Sequence, residues 1–205
     1  MENNMQTAQT NQPTILHGKQ NHGGHEIFDT HELLTGMISA LDQNKIFQQF
    51  IQDPELKAIA QHQGEFLTQT YNTLVESFKT GQDPTVPTTS YSMQQSNDVV
   101  YGVKPSQPKK PIASANEVTD ECVSTYLLTQ MKSLATMGAR GACEITNPVA
   151  RRVVADSIPN LIEMSYEIFL YQNKHHYYQV PQLQPSDMAA MMQSYDTTAT
   201  MNQMH

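Results

Sequence analysis

Two short steps constrain this chain most: Asp53-Pro54 and Asn147-Pro148. Each stands between two long segments with helical spacing of apolar residues. Asp and Asn are strong N-caps. Proline suits the first helical position, because the amide it lacks would have no partner there. Each step therefore ends one helix and opens the next with almost no loop. Helices joined so tightly must run antiparallel. The chain predicts two helical hairpins.

The apolar stripes agree. A helix over 29–52, capped by Asp29 or Thr30 with Glu32 in its first turn, turns Leu33, Met37, Leu41, Asn44, Phe47 and Ile51 inward. A helix over 54–79 does the same with Ala60, Gln63, Leu67, Thr70, Leu74 and Phe78, and Gly81 offers the left-handed residue that ends it. The second hairpin spans 115–146 and 148–176. Its inward residues are Leu127, Met131, Leu134, Gly138, Ala142 and Ile145, then Val154, Ile158, Leu161, Ile162, Ser165, Ile168 and Phe169. Pro159 removes one hydrogen bond from the last helix and predicts a kink.

Between the hairpins, Pro84, Pro87, Pro105, Pro108 and Pro111 forbid a long helix. Residues 81–114 read as an extended crossover, with Val99-Val100-Tyr101 placed to pin it. Two hairpins joined by one long crossover is the connectivity of ferritin-like bundles. The expected fold is all-α, a ferritin-like four-helix bundle. The expected domain plan is a disordered polar arm over 1–24, the bundle over 25–180, and a disordered Met- and Gln-rich tail over 181–205.

Charge narrows the function. The formal net charge is -8, the wrong sign for general nucleic-acid binding or a polybasic membrane anchor. No apolar run reaches the length of a transmembrane helix, and the N-terminus lacks the pattern of a secretory signal. Synthesis in the cytoplasm is expected. Cys122 and Cys143 fall on one predicted helix, roughly 30 Å apart at about 1.5 Å per residue, so they are expected as thiols.

Candidate chemistry is sparse. A di-metal carboxylate centre needs Glu-x-x-His pairs on inward faces. Glu65, Glu144 and Glu163 have Thr68, Asn147 and Tyr166 at that spacing instead. His22 and His25 sit in a glycine-rich stretch. His175 and His176 are adjacent on a helix, pointing about 100° apart, and need other ligands to hold a metal. No P-loop or dinucleotide fingerprint is present. No catalytic, cofactor-binding or metal-binding residue is assigned. Tyr166, Tyr171, Tyr177 and Tyr178 do cluster with Gln172, Lys174 and Gln179. Exposed tyrosines can couple oxidatively, and Lys with Gln can be joined enzymatically. Tyr171, Lys174, Tyr177, Tyr178 and Gln179 are therefore the candidate interaction or cross-linking residues, against the plainer reading that the tyrosines pack on the bundle.

The segments DSIPN and YEIFLYQNKHHYYQVPQL, with the upstream PSQPKKP, resemble the Coat F family of bacterial spore coat proteins. The likeness runs from about His22 to Leu183 and is most specific from Asn147 onward. It implies a ferritin-like helical fold. It also implies a non-enzymatic structural role in the endospore coat, after synthesis in the mother cell. Other spore coat proteins are the implied partners, with a homo-oligomer as a further expectation. The alternative is a ferritin-like metal-binding or oxidoreductase protein with a degenerate site.

Overall fold

The computed structural model describes residues 22–198. Five α-helices run through the described residues: α1 (Gly24–Phe47), α2 (Pro54–Thr80), α3 (Asp120–Glu144), α4 (Pro148–Lys174) and α5 (Pro185–Met192). The fold is all-helical. Single 3-10 turns occupy Gln48–Phe50 and Ala115–Glu117. Strand-like pairing among the described residues is confined to isolated bridges from Tyr101 and Gly102 to Val180.

The two Xaa-Pro steps behave as their chemistry dictates. The Asp53 carboxylate accepts from the Glu55 N–H at 2.8 Å. The Asn147 side-chain oxygen accepts from the N–H groups of Val149 and Ala150, at 2.9 and 3.0 Å. Gly81 ends α2 with φ +63, and its N–H returns to the Ser77 carbonyl. α1 packs on α2 and α3, and α4 packs on α2 and α3. The shared interior holds Leu33, Met37, Leu56, Leu67, Leu127, Met131, Met164 and Ile168.

Several boundaries differ from the sequence expectation. α1 opens five residues before Asp29, which instead pairs with Arg140 at 2.7 Å across to α3. The extra turn buries Glu26, a residue that apolar periodicity cannot register. α3 opens at Asp120, after a Thr119 cap that accepts from the Cys122 N–H. Around it, Ser114 and Val118 have extended backbone, so only one 3-10 turn forms where the helix was expected to start.

The inward face of α4 also changes. Ile162 is 52% exposed, while Asn160, Met164, Glu167 and Tyr171 are buried. After Pro159 the expected stripe holds at Leu161 and Ile168 and fails at Ile162, and counting apolar residues misses four polar inward members, Asn160, Glu167, Gln172 and Asn173. α4 continues as one helix through Pro159.

α5 stands in the stretch expected to lack order, with Pro185 at its start and Asp187 in its first turn. None of its residues is buried. Most of the expected polar arm, residues 1–21, and residues 199–205 of the tail lie outside the described residues.

Candidate functional site

The crossover is held to α4 by side chains that act as substitutes for a neighbouring strand. Asn160 accepts from the Tyr91 N–H at 2.8 Å and donates to the Thr89 carbonyl at 2.8 Å. Farther along α4, Glu167 accepts from the Gln94 N–H at 2.7 Å. Asn173 takes the Val100 N–H at 2.6 Å and gives a hydrogen bond to the Val100 carbonyl at 2.9 Å. Beyond the helix end, Gln179 accepts from the Lys104 N–H and donates to the Lys104 carbonyl. An extended segment outside a sheet has backbone donors and acceptors with no ladder partner. Amide side chains carry a donor and an acceptor together, so one residue can satisfy both backbone groups.

Tyr91 is the buried side-chain anchor of this strap, whereas Val100 and Tyr101 pin it through their backbone. Tyr91 is 6% exposed, while Val100 and Tyr101 are 43% and 58% exposed. Asn173 and Val180 hold the Val100–Gly102 backbone instead. The Tyr91 ring stacks on His62 and meets Phe66 edge-on. Its hydroxyl donates to the buried Glu167 carboxylate, which also accepts from Gln63 Nε2 at 3.0 Å. Burial first, and then the Glu167 hydrogen bond and charge, push the Tyr91 phenol far above its ordinary range. It remains protonated and available as a donor.

A second cluster sits where α4 ends. The Tyr177 N–H reaches the Gln172 carbonyl and the His176 N–H reaches Asn173. That is the Schellman arrangement, in which a left-handed residue turns the chain out of the helix. Here the left-handed residue is His176, at φ 61, and not a glycine. The turn directs His175 between Tyr171 and Tyr177, with ring centroids 4.5 and 5.5 Å away. It also brings Tyr178 against Phe169, with Lys132 Nζ 5.5 Å from the Tyr178 ring centre.

The short α1–α2 connection brings the start of α2 to the same place. Tyr171 donates to Asp53 Oδ2 at 3.0 Å. His175 Nε2 lies 3.5 Å from that oxygen, and Lys174 pairs with Glu55 at 2.7 Å. Asp120, at the start of α3, accepts from the Gln52 and Asp53 N–H groups. Burial, then the Asp53 hydrogen bond and charge, raise the Tyr171 phenol. Burial and the charges of Asp120, Glu121 and Asp53 raise Tyr177.

The candidate interaction residues therefore divide. Tyr171 is fully buried, with its hydroxyl committed to Asp53, so it cannot reach a neighbouring molecule. Gln179 is committed to the strap. Gln172, noted beside them, donates to the Ser124 and Thr125 hydroxyls. Tyr178 is 42% exposed. The Lys174 side chain is 58% exposed and Tyr177 half-buried.

The di-metal carboxylate and thiol candidates do not come together in one site. Glu65, Glu144 and Glu163 are exposed. Cys122 is half-buried, Cys143 is exposed, and both are free thiols. His22 packs on Phe78 and bonds Glu26.

Comparison with known proteins identifies the family. The Coat F domain matches residues 119–181, which contain α3, α4 and the helix-end turn. Over 173 residues the chain is 47% identical to the spore coat protein F-like protein YhcQ of Bacillus subtilis (strain 168). That alignment covers 84% of this chain and 80% of the relative. The chain belongs to the Coat F family. No solved structure matches it. The Coat F domain match contains Asn160, Glu167 and Asn173, the strap anchors on α4, and Gln179 just beyond it. Sequence reading missed the role of all four. The available signal was a polar residue at an inward helical position. Such a residue must find a partner, and a strand-poor crossover is rich in unpaired backbone.

Proposed function

We propose that this chain is a structural, non-enzymatic protein of the endospore coat. It is made in the mother-cell cytoplasm and takes part in coat assembly as a preformed block. The block is a ferritin-like four-helix bundle over 25–180, two antiparallel hairpins joined by the proline-rich strap. One observation carries this reading most. The polar residues of the most characteristic segment, Asn160, Glu167, Asn173 and Gln179, are committed to holding the strap. They stabilise a shape and do not line an open cleft. The similarity to a spore coat protein F-like relative over 84% of the chain supports the location.

Neighbouring coat proteins are the proposed partners, together with further copies of the chain. Exposed apolar side chains favour such contacts: Ile27, Phe28, Ile38 and Ile46 on α1, and Met191, Met192 and Tyr195 near the C-terminus. No helix among the described residues is long and apolar enough to cross a membrane. Tyr178 and Lys174 are the residues best placed for later covalent fixing.

An immunoblot of washed spores tests the reading. The protein is expected in the coat extract and not in the core or vegetative cytosol. Presence in vegetative cytosol alone would overturn it. For the cross-linking part, Tyr178→Phe is expected to make the protein easier to extract from mature coats. Unchanged extraction would remove Tyr178 from that role.

A further inference from the structure

His175 and His176 need other ligands before either can hold a metal, and the fold supplies them to one of the two. Asp53, at the cap of α2, and Glu55, in its first turn, face His175 at the end of α4. One ligand atom from each of the three lies within 4.8 Å of the others. An ion bound at about 2.0–2.2 Å from each donor spans such a set after small rotations. His175 Nε2 points into the cluster, has no accessible surface and has no hydrogen-bond partner. A buried imidazole nitrogen without a partner calls for an explanation; His22 Nε2 is another among the described residues, but of the two only His175 stands in a group of three possible ligands.

The surroundings suit a cation. The tyrosine rings on either side of His175 limit the ring's rotation, and the Tyr171 hydroxyl and the Glu55 N–H fix the Asp53 carboxylate, the former at the oxygen that faces His175. The α4 C-terminus adds partial negative charge. The side chains of Asp53, Glu55 and His175 are 22%, 29% and 30% exposed, so an ion can enter from solvent. The existing counter-cation is the Lys174 ammonium, 2.7 Å from Glu55 on a side chain free to swing outward.

We propose that Asp53, Glu55 and His175 bind one divalent transition-metal ion of the Zn2+ type, which displaces Lys174 and ties the start of α2 to the end of α4. One imidazole and two carboxylates match that class better than Ca2+ or Mg2+, which favour all-oxygen shells. Water would complete the coordination.

Equilibrium dialysis of the full-length protein against Zn2+ tests this, with folding followed by circular dichroism. Wild type is expected to take up one ion more than either Glu55→Gln or His175→Asn. Glu55→Gln lies at the surface and keeps the fold even if His175→Asn disturbs it. Lys174→Met is expected to bind up to about fivefold tighter, the factor that an exposed ammonium pair can withhold. Equal uptake by wild type and a folded Glu55→Gln would place any zinc on other histidines and overturn the proposal. So would absence of uptake by wild type, or a Lys174→Met variant that binds more weakly.

Discussion

The two ends of the helical assembly solve the same problem differently. At each end a carboxylate receives the N–H groups that open a neighbouring helix. Where α1 starts and α4 begins, Glu26 does this from inside. It is fully buried and accepts from the Thr146 N–H at 3.0 Å, the Thr146 hydroxyl at 2.6 Å, and the Asn147 N–H at 3.0 Å, with His22 on its other oxygen. Where α2 starts and α4 ends, Asp53 and Asp120 share the work closer to solvent, beside an imidazole nitrogen with no partner. At the first end both Glu26 oxygens are engaged and shielded from solvent, although His22 Nε2 beside them is, like His175 Nε2, buried without a hydrogen-bond partner. The second end differs in being partly open to solvent, with two carboxylates, Asp53 and Glu55, near its imidazole, and it is also where Lys174, Tyr177 and Tyr178 reach the surface. A closed end favours rigidity, and an open one leaves groups for contact and ligand binding.

Removing the buried acid should have the largest effect. Glu26→Ala strands the N–H groups of Thr146 and Asn147, at a cost of about 3 kcal/mol in urea unfolding. Glu167→Ala should cost a similar amount, about 3 kcal/mol, because the Tyr91 hydroxyl, Gln63 and the Gln94 N–H all lose their acceptor. Asp53→Ala at the open end removes a helix cap and the acceptor of the Tyr171 hydroxyl, and is expected to cost about 2 kcal/mol, less than Glu26→Ala because water can reach the vacated groups. The comparison would fail if Asp53→Ala were the more damaging change.

Acid sharpens the same contrast. Burial alone would raise the Glu26 carboxyl. The hydrogen bonds from Thr146, His22 and Asn147, and the charge of His22, outweigh it and hold the group below its ordinary 4.5. The unfolded chain therefore binds the proton more readily than the folded one. The stabilisation from Glu26 is complete above 4.5 and is lost as pH falls through the lower folded value. The stability gap between wild type and Glu26→Gln should accordingly narrow in that window. A gap that widens with acid would contradict the role given to Glu26.

The smallest expected effect is a gain. His176 occupies a left-handed position that L side chains tolerate poorly. His176→Gly should raise stability by about 1 kcal/mol while leaving the helix end in place, unless the 2.9 Å contact between His176 Nε2 and Lys104 Nζ offsets the strain. Thermal unfolding of the two proteins decides.

Much of this architecture is legible before any coordinates. Asp53-Pro54, Asn147-Pro148 and Gly81 mark their boundaries because capping is local chemistry. The stripe of α3 is legible because its inward residues are mostly apolar, and that of α2 because Ala60, Leu67 and Leu74 set a phase that its polar members Gln63 and Thr70 share. The start of α1 and the polar part of the α4 stripe are not, since Glu26, Asn160 and Glu167 are polar residues facing inward. Their placement is favourable only because backbone groups distant in sequence arrive to pair with them. The cluster around His175 is half legible. Its histidine and tyrosines stand together in the chain, but Asp53 and Glu55 join them through the packing of α2 on α4. No local pattern announces that contact.

Hydrogen exchange read amide by amide tests most directly whether the polar residues of the Coat F segment hold the strap. The amides of Tyr91, Gln94 and Val100, bound by Asn160, Glu167 and Asn173, should exchange far more slowly than those of the exposed stretch Ser96–Asp98 between them. Asn160→Ala should release Tyr91 while leaving Val100 protected. If all of these amides exchange as fast as the exposed stretch, the strap is not held, and the structural role assigned to the segment is wrong.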